Sequence, residues 1–314
     1  MSVTFQLLAQ FPGAAGTSGS TAIYKDSSVF IDWASHAKII RGYQNISNPS
    51  AGYATVGDSI SVTQKAGLNG VVSLGDGGIA ILTFSNPIVN GTGFDFAVFE
   101  NSFNDFFLEL AFVEASSDGV HYFRFPSQSL TDTSTQKSSF DLLNPTQLNN
   151  LAGKYRGDYG TPFDLSELPD TILLDKNTIQ FIKVIDVVGA LQAPFYYRDS
   201  EGRKINDPFP TEFPSGGFDL DAVGVIHNTL NTSINQYQAA QSLVMVYPNP
   251  AKHTIYIKSE TDIKSVELYD SFLNKQAINF LENNSLNISE LANGIYFIKI
   301  LFKENYTLKK IIKE

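Results

Sequence analysis

The 314-residue sequence has no cysteine, which excludes a disulfide scaffold, thiolate zinc sites, iron–sulfur centres and cysteine nucleophiles. It has only four histidines, at 36, 121, 227 and 253, too few and too scattered for a histidine-based metal site. Basic side chains are outnumbered by acidic ones, 22 to 32, for a net charge of −10. Without a strong positive field, non-specific binding to nucleic acid or to an anionic membrane surface is excluded. No run of 18 apolar residues occurs, so no helix is expected to span a membrane. Met1-Ser-Val-Thr-Phe5 lacks the basic start and long apolar stretch of a signal peptide. That start fits either a cytoplasmic protein or a secreted chain whose signal peptide is absent from this sequence, a choice left to the C-terminus. The nucleophile elbow Gly-x-Ser-x-Gly, the zinc motif HExxH and the phosphate loop GxxxxGK[ST] are absent too.

What is present is β-structure. Hydrophobic residues make up 43% of the chain, enough for real cores and too many for disorder. They fall in short runs punctuated by Gly, Asn, Asp and Pro: Gly78–Phe84, Phe94–Phe99, Glu109–Glu114, Tyr122–Phe125, Phe181–Val187 and Leu220–Ile226. Ser116-Ser-Asp-Gly119 predicts a hairpin turn. The expected class is all-β, a large jelly-roll-like β-sandwich followed by a small immunoglobulin-like β-sandwich. Short helices are predicted at Ser28–Arg41 and Thr146–Ala152, and 126–180 reads as loop.

The polar, uncharged stretch around 229–243 predicts a linker between domains 1–228 and 244–314. Charge changes there: residues 1–240 carry net −11 and residues 241–314 net +1. The second part predicts seven strands, at Val244–Tyr247, Thr254–Lys258, Ser265–Tyr269, Gln276–Phe280, Ser285–Asn287, Gly294–Leu301 and Tyr306–Ile312. Within it, Val246-Tyr-Pro-Asn-Pro-Ala251, Ser265-Val-Glu-Leu-Tyr-Asp270, Leu286–Ile300 and the terminal Lys309-Lys-Ile-Ile-Lys-Glu314 resemble the type A sorting domain of the Bacteroidetes type IX secretion system. One departure is Phe272-Leu-Asn274, where that family usually has a Gly turn. The resemblance implies secretion machinery as partner, and an extracellular or outer-membrane-surface location after removal of a signal peptide.

The runs Gly70–Gly78, Leu82–Ile88, Gly93–Asn101, Phe107–Glu114 and Gly217–Gly224 resemble poorly characterised bacterial cell-surface proteins of galactose-binding-like jelly-roll type. That resemblance implies no activity. The residues offer two kinds of site. Glu100, Asp186, Asp219 and Asp221 lie in or beside apolar strands, with Lys183 the one basic neighbour. Buried acids need partners, and Ca²⁺ as a structural ion held by carboxylate and carbonyl oxygens is one solution. The other is that they cap turns and accept backbone N–H bonds. Exposed aromatics with a few polar groups suit a sugar or a planar ligand. The candidates are Trp33, Phe103 and Phe106 in the loop Asn101–Phe107, and Tyr196, Tyr197 and Arg198, with the Pro-rich loop Asn206–Pro214 as a wall beside the last three. Arg156-Gly-Asp158 spells an integrin tripeptide and reads as chance.

The expected function is non-catalytic capture of a glycan or small molecule at the cell surface. The small molecule could be a corrinoid destined for an outer-membrane uptake receptor, with His36, His121 or His227 as the available cobalt ligands. A structural or adhesive calcium-binding protein is the second reading. A polysaccharide hydrolase using two of Glu100, Glu109, Glu114 and Asp219 is the third.

Overall fold

The computed structural model describes residues 11–229, 244–259, 262–271, 274–278, 280–281, 284–303 and 306–314. Met1–Phe5, the turn residues Phe272 and Leu273, and all of the 229–243 stretch except Thr229 lie outside them. The chain divides into two compact units, Met1–Thr229 and Leu230–Glu314.

In the first unit the strands are β1 (Ile23–Tyr24), β2 (Asp32–Trp33), β3 (His36–Ile40), β4 (Val72–Ser73), β5 (Ile79–Ile88), β6 (Phe96–Glu100), β7 (Ala111–Ser116), β8 (Phe123–Arg124), β9 (Gln128–Ser129), β10 (Leu148–Asn149), β11 (Tyr159–Phe163), β12 (Ile179–Asp186) and β13 (Asp219–Val225). One antiparallel sheet has the order β1-β11-β6-β13-β2, with β4 also on β13, and a second has the order β3-β5-β12-β7-β8. Residues facing inward at every second position close the gap between them. Phe96, Val98, Phe163, Leu220 and Val223 of the first sheet share one core with Leu82, Val113, Ile182 and Val184 of the second. The unit is a β-sandwich, as the apolar runs require.

Two features of the first sheet matter for the site. β13 carries a bulge: Leu220 pairs with Glu100 and Ala222 with the adjacent Phe99, leaving Asp221 as the extra residue. β11 runs beside β6 although it contains Gly160 and Pro162. The glycine is required, because a Cβ there would lie 2.8 Å from the Phe99 ring.

Three local expectations are corrected. Ser28–Arg41 holds β2 and β3, not a helix; His36–Ile40 alternates between exposed and half-buried residues, a period of two. Thr146–Ala152 begins with one 3₁₀ turn, capped by Asn144 on the Thr146 amide, and continues as β10 paired with β9. The loop expected over 126–180 contains β9, β10 and β11. The hairpin turn at 116–119 is present: Gly119 has φ +75°, and the Ser116 hydroxyl accepts its amide at 2.9 Å.

The second unit contains β14 (Val244–Tyr247), β15 (Thr254–Ser259), β16 (Ser265–Asp270), β17 (Lys275–Gln276), β18 (Phe280–Leu281), β19 (Ser285–Asn287), β20 (Gly294–Leu301) and β21 (Tyr306–Lys313). They form two antiparallel four-stranded sheets, β14-β15-β19-β18 and β17-β16-β20-β21. The strand expected over Gln276–Phe280 is two short ones, one in each sheet. β20 alternates as its sequence dictates, with Tyr296, Ile298 and Ile300 in a core shared with Ile255, Ile257 and Leu286.

Candidate functional site

The chain segment leaving β6 is fixed by its own polar residues. Asn104 Oδ1 accepts the amides of Phe106 and Phe107, each at 2.8 Å, and the Ser102 hydroxyl donates to the Asn104 carbonyl at 2.8 Å and to the Phe107 carbonyl. Arg156 binds Asp105 at 2.7 Å from outside. This turn stacks Phe103 on Phe107, ring centroids 4.7 Å apart. Two distant loops extend the row: Phe107 to Phe140 is 6.1 Å and Phe140 to Phe213 is 5.7 Å. The Phe140 loop is tied down by the Leu143 amide on the Phe106 carbonyl (2.7 Å) and by the Ser139 hydroxyl on the Pro210 carbonyl (2.6 Å).

These rings wall a cleft of about 400 Å³, with Glu109 and Asp219 also in its lining. Phe103, Phe140 and Phe213 are 75%, 69% and 41% exposed, unusual for three neighbouring phenylalanines that a folding core would otherwise have taken. Asp219 accepts hydrogen bonds from the Ser73 hydroxyl and from Asn101. Burial raises its carboxyl to about 6, against those bonds and the charge of Arg41. Burial also pushes Glu109 well above the usual range, reinforced by the like charges of Glu100, Asp219, Asp207 and Asp186. Among the described residues no donor reaches the Glu109 carboxyl. The cleft thus offers apolar ring faces together with two carboxyl groups, both raised by burial above the ordinary carboxylate range.

Of the residues singled out from the sequence, Phe103, Glu109 and Asp219 line this cleft. Phe106 is exposed beside it. Trp33 lies elsewhere, packed on Phe30 (5.1 Å) and Phe99 (5.5 Å) over the outer face of the first sheet. Tyr197 packs on Phe112 at 5.8 Å, while Tyr196 is held between Arg198 and Lys204, 4.8 and 4.6 Å from its ring centroid. The Pro-rich loop does form a wall, but its Phe213 walls the phenylalanine cleft; Phe209 and Pro210 line a separate cavity with Lys204. Phe213 comes from the Pro-rich loop, and Phe140 completes the site as the lining phenylalanine outside every segment the sequence singles out.

The acids proposed as calcium ligands are not brought to one point. Asp186 accepts the amides of Gly77 (2.8 Å) and Phe218 (2.7 Å). Glu100 accepts that of Ser102 at 2.8 Å. Asp221 takes the Gly67 amide at 2.9 Å and, displaced by the bulge, lines a second cavity away from Asp219's. Among the described residues no three acidic or histidine side chains converge as a metal site. Acceptance of backbone N–H groups, the alternative reading of these acids, describes Asp186, Glu100 and Asp221. The charges of the Arg156-Gly-Asp158 tripeptide are paired within the chain, Arg156 with Asp105 and Asp158 with Lys25 (2.6 Å).

No helix of the described residues is long and apolar enough to cross a membrane. Two solved structures resemble the chain distantly. One is a biofilm-associated protein BSP domain, 8% identical, covering 92% of this chain and 52% of its own, with a TM-score of 0.20. The other is a β-D-glucuronidase from Dictyoglomus thermophilum, 11% identical, covering 92% and 44%, with a TM-score of 0.19. The chain spans about half the length of each, and at these scores neither bears on its fold or activity. No curated protein matches the chain. Residues 245–314 match the family described as "Secretion system C-terminal sorting domain". Residues 245–314 are therefore a type IX secretion sorting domain, and the protein that carries it is one exported to the cell surface or beyond.

Proposed function

We propose that the first unit is a non-catalytic surface module that captures a glycan in the phenylalanine cleft. The observation that supports this reading is the row Phe103–Phe107–Phe140–Phe213 above Glu109 and Asp219. Aromatic faces take the apolar faces of sugar rings, and carboxyl groups bond their hydroxyls. The net charge of −11 on residues 1–240 selects against acidic polysaccharides. A small molecule for an outer-membrane uptake receptor is the neighbouring reading. If it were a corrinoid, none of His36, His121 and His227, the histidines in principle available to cobalt, lines the cleft. His121 is bound to Asp118 and His227 to Asp95, at 2.7 and 2.8 Å, and His36 is exposed on β3.

The test is retention of the full chain on immobilised neutral polysaccharides, with and without EDTA. Binding is expected, and the double variant Phe103→Ala, Phe140→Ala is expected to weaken it at least about tenfold, some 1.4 kcal/mol. Absence of retention on every polymer overturns the reading. Loss of retention in EDTA would instead favour the calcium-dependent adhesive role. The shared cleft position of Glu109 and Asp219 favours a second reading, glycoside hydrolysis by an acid pair. Release of reducing ends that disappears in Glu109→Gln would establish it.

A further inference from the structure

The phenylalanine cleft has a neighbour. A second cavity, of about 430 Å³, lies across the segment Asn101-Ser-Phe103, and these three residues line both. Its other walls are the Gly67–Val71 loop, the Arg156–Asp158 loop and Asp221. The two cavities differ in character. The first has phenylalanine rings on three loops; the second has one aromatic, the shared Phe103, and is lined mainly by backbone and charged groups. Its charged groups are already fixed. Arg156 is clamped between Asp105 at 2.7 Å and the Tyr159 ring at 4.8 Å, and Asp221, only 7% exposed, is held by the Gly67 amide. The Gly157 amide donates to the Ser102 carbonyl at 2.7 Å, so the far wall is bonded to the shared ridge.

The bulge on β13 explains how one strand serves both cavities. In a regular strand Asp219 and Asp221 would stand side by side on one face, the arrangement that suggests a joint metal site. With Asp221 as the extra residue, one carboxyl goes to each cavity.

We propose that the two cavities are adjoining subsites of one groove, and that its ligand is a neutral oligosaccharide chain crossing Phe103 rather than a single sugar or a compact small molecule. The inference rests on the glycan reading of the phenylalanine cleft. A chain seated in the first cavity would continue over Phe103, whose exposed ring is the one aromatic face common to both. Its next units would meet the pre-set Arg156 and Asp221, which bond hydroxyls without further ordering.

Calorimetric titration of the full chain with neutral cello-, manno- and malto-oligosaccharides of two, four and six units tests this. In the series that binds, six units are expected to bind at least tenfold more tightly than two. Asp221→Asn and, separately, Arg156→Ala are expected to bring the six-unit affinity down towards the two-unit value. The arginine variant removes an outer-loop contact and guards against a folding defect at the bulge. Equal affinity for two and six units overturns the two-subsite groove while leaving the cleft reading intact. Absence of binding at every length overturns both.

Discussion

In the first unit Asp95, Glu100, Asp186 and Asp207 are each at most 4% exposed, inside a β-sandwich. In the second, no acid among the described residues is buried, and its core is Ile, Leu and Val with Ala251, Tyr296 and Phe302. The loops account for the difference. The first unit closes its sheets with long irregular segments whose amides have no strand partner. Buried acids accept them: Asp95 takes Gly91 and Leu165 at 2.7 and 2.8 Å, and Asp207 takes Leu110 at 3.2 Å. The second unit uses tighter connections, and exposed Asn249 suffices to join the end of β21 to its entry turn. A large sandwich closed by long irregular loops needs internal acceptors, whereas a small one with tighter connections does not.

The largest expected consequence is opposite behaviour with pH. Burial raises Asp186 to about 8 and Asp76, Asp219 and Asp221 to about 6, with Glu100, Glu109 and Asp207 also pushed upward. Each folded value lies above its unfolded one. Their contribution to stability is therefore complete below about pH 4 and is lost as pH rises through 6 to 8. Exposed acids with lowered values, such as Asp118 bonded to His121, act in the other direction but are screened by solvent. Calorimetric melts from pH 4.5 to 8.5 should show the first unit's transition falling by on the order of 10 °C, at about 2–4 °C per kcal/mol. The second unit's transition should stay nearly level. A first-unit transition that rises with pH would contradict this account of the buried acids.

A smaller effect isolates one acid. Asp186 Oδ1 accepts the Phe218 amide and Oδ2 the Gly77 amide. In Asp186→Asn one of these donors would face an NH₂ group instead of an acceptor, a loss of about 1–3 kcal/mol at pH 5. The variant should also flatten part of the pH dependence, because the native group is charged at high pH and Asn is not. The gap between wild type and variant should therefore narrow between pH 5 and 8.5. A gap that widens with pH would show that Asp186 stabilises as a charged carboxylate.

Strands that alternate or run apolar were legible in the sequence, and so was the second unit almost strand by strand. β11 was not, because Gly160 and Pro162 suppress a strand signal. The proline fits because β1 pairs only with Tyr159 and Gly160, so Pro162 lies beyond the end of that neighbour. In the site, Phe103 and Asp219 were legible as an aromatic loop and an acid in a strand. Phe140 was not: it is a lone aromatic in a polar segment, and only tertiary hydrogen bonds such as Ser139 to Pro210 bring it beside Phe213 of the Pro-rich loop. The Asp219–Asp221 spacing misled in one respect, since a bulge leaves no mark in a one-residue spacing.

The smallest effect is expected where the second unit carries its own carboxylate cluster. Glu267 on β16 accepts Lys275 at 2.6 Å and the Tyr269 hydroxyl at 2.9 Å, with Lys299 at 4.0 Å. The hydrogen bond from Lys275, first among these, lowers its carboxyl below the ordinary value. Its contribution is thus present above the unfolded pKa and lost as pH falls, the reverse of Asp186. Because the cluster faces solvent, ordering the long lysine side chain offsets much of the attraction, and salt screens the rest. Glu267→Gln should therefore leave the second transition unmoved in 150 mM salt, shifting it measurably only at low ionic strength. If it instead lowered that transition as much as Asp186→Asn lowers the first, the contrast between an acid-organised and an acid-free interior would not be what separates the two units.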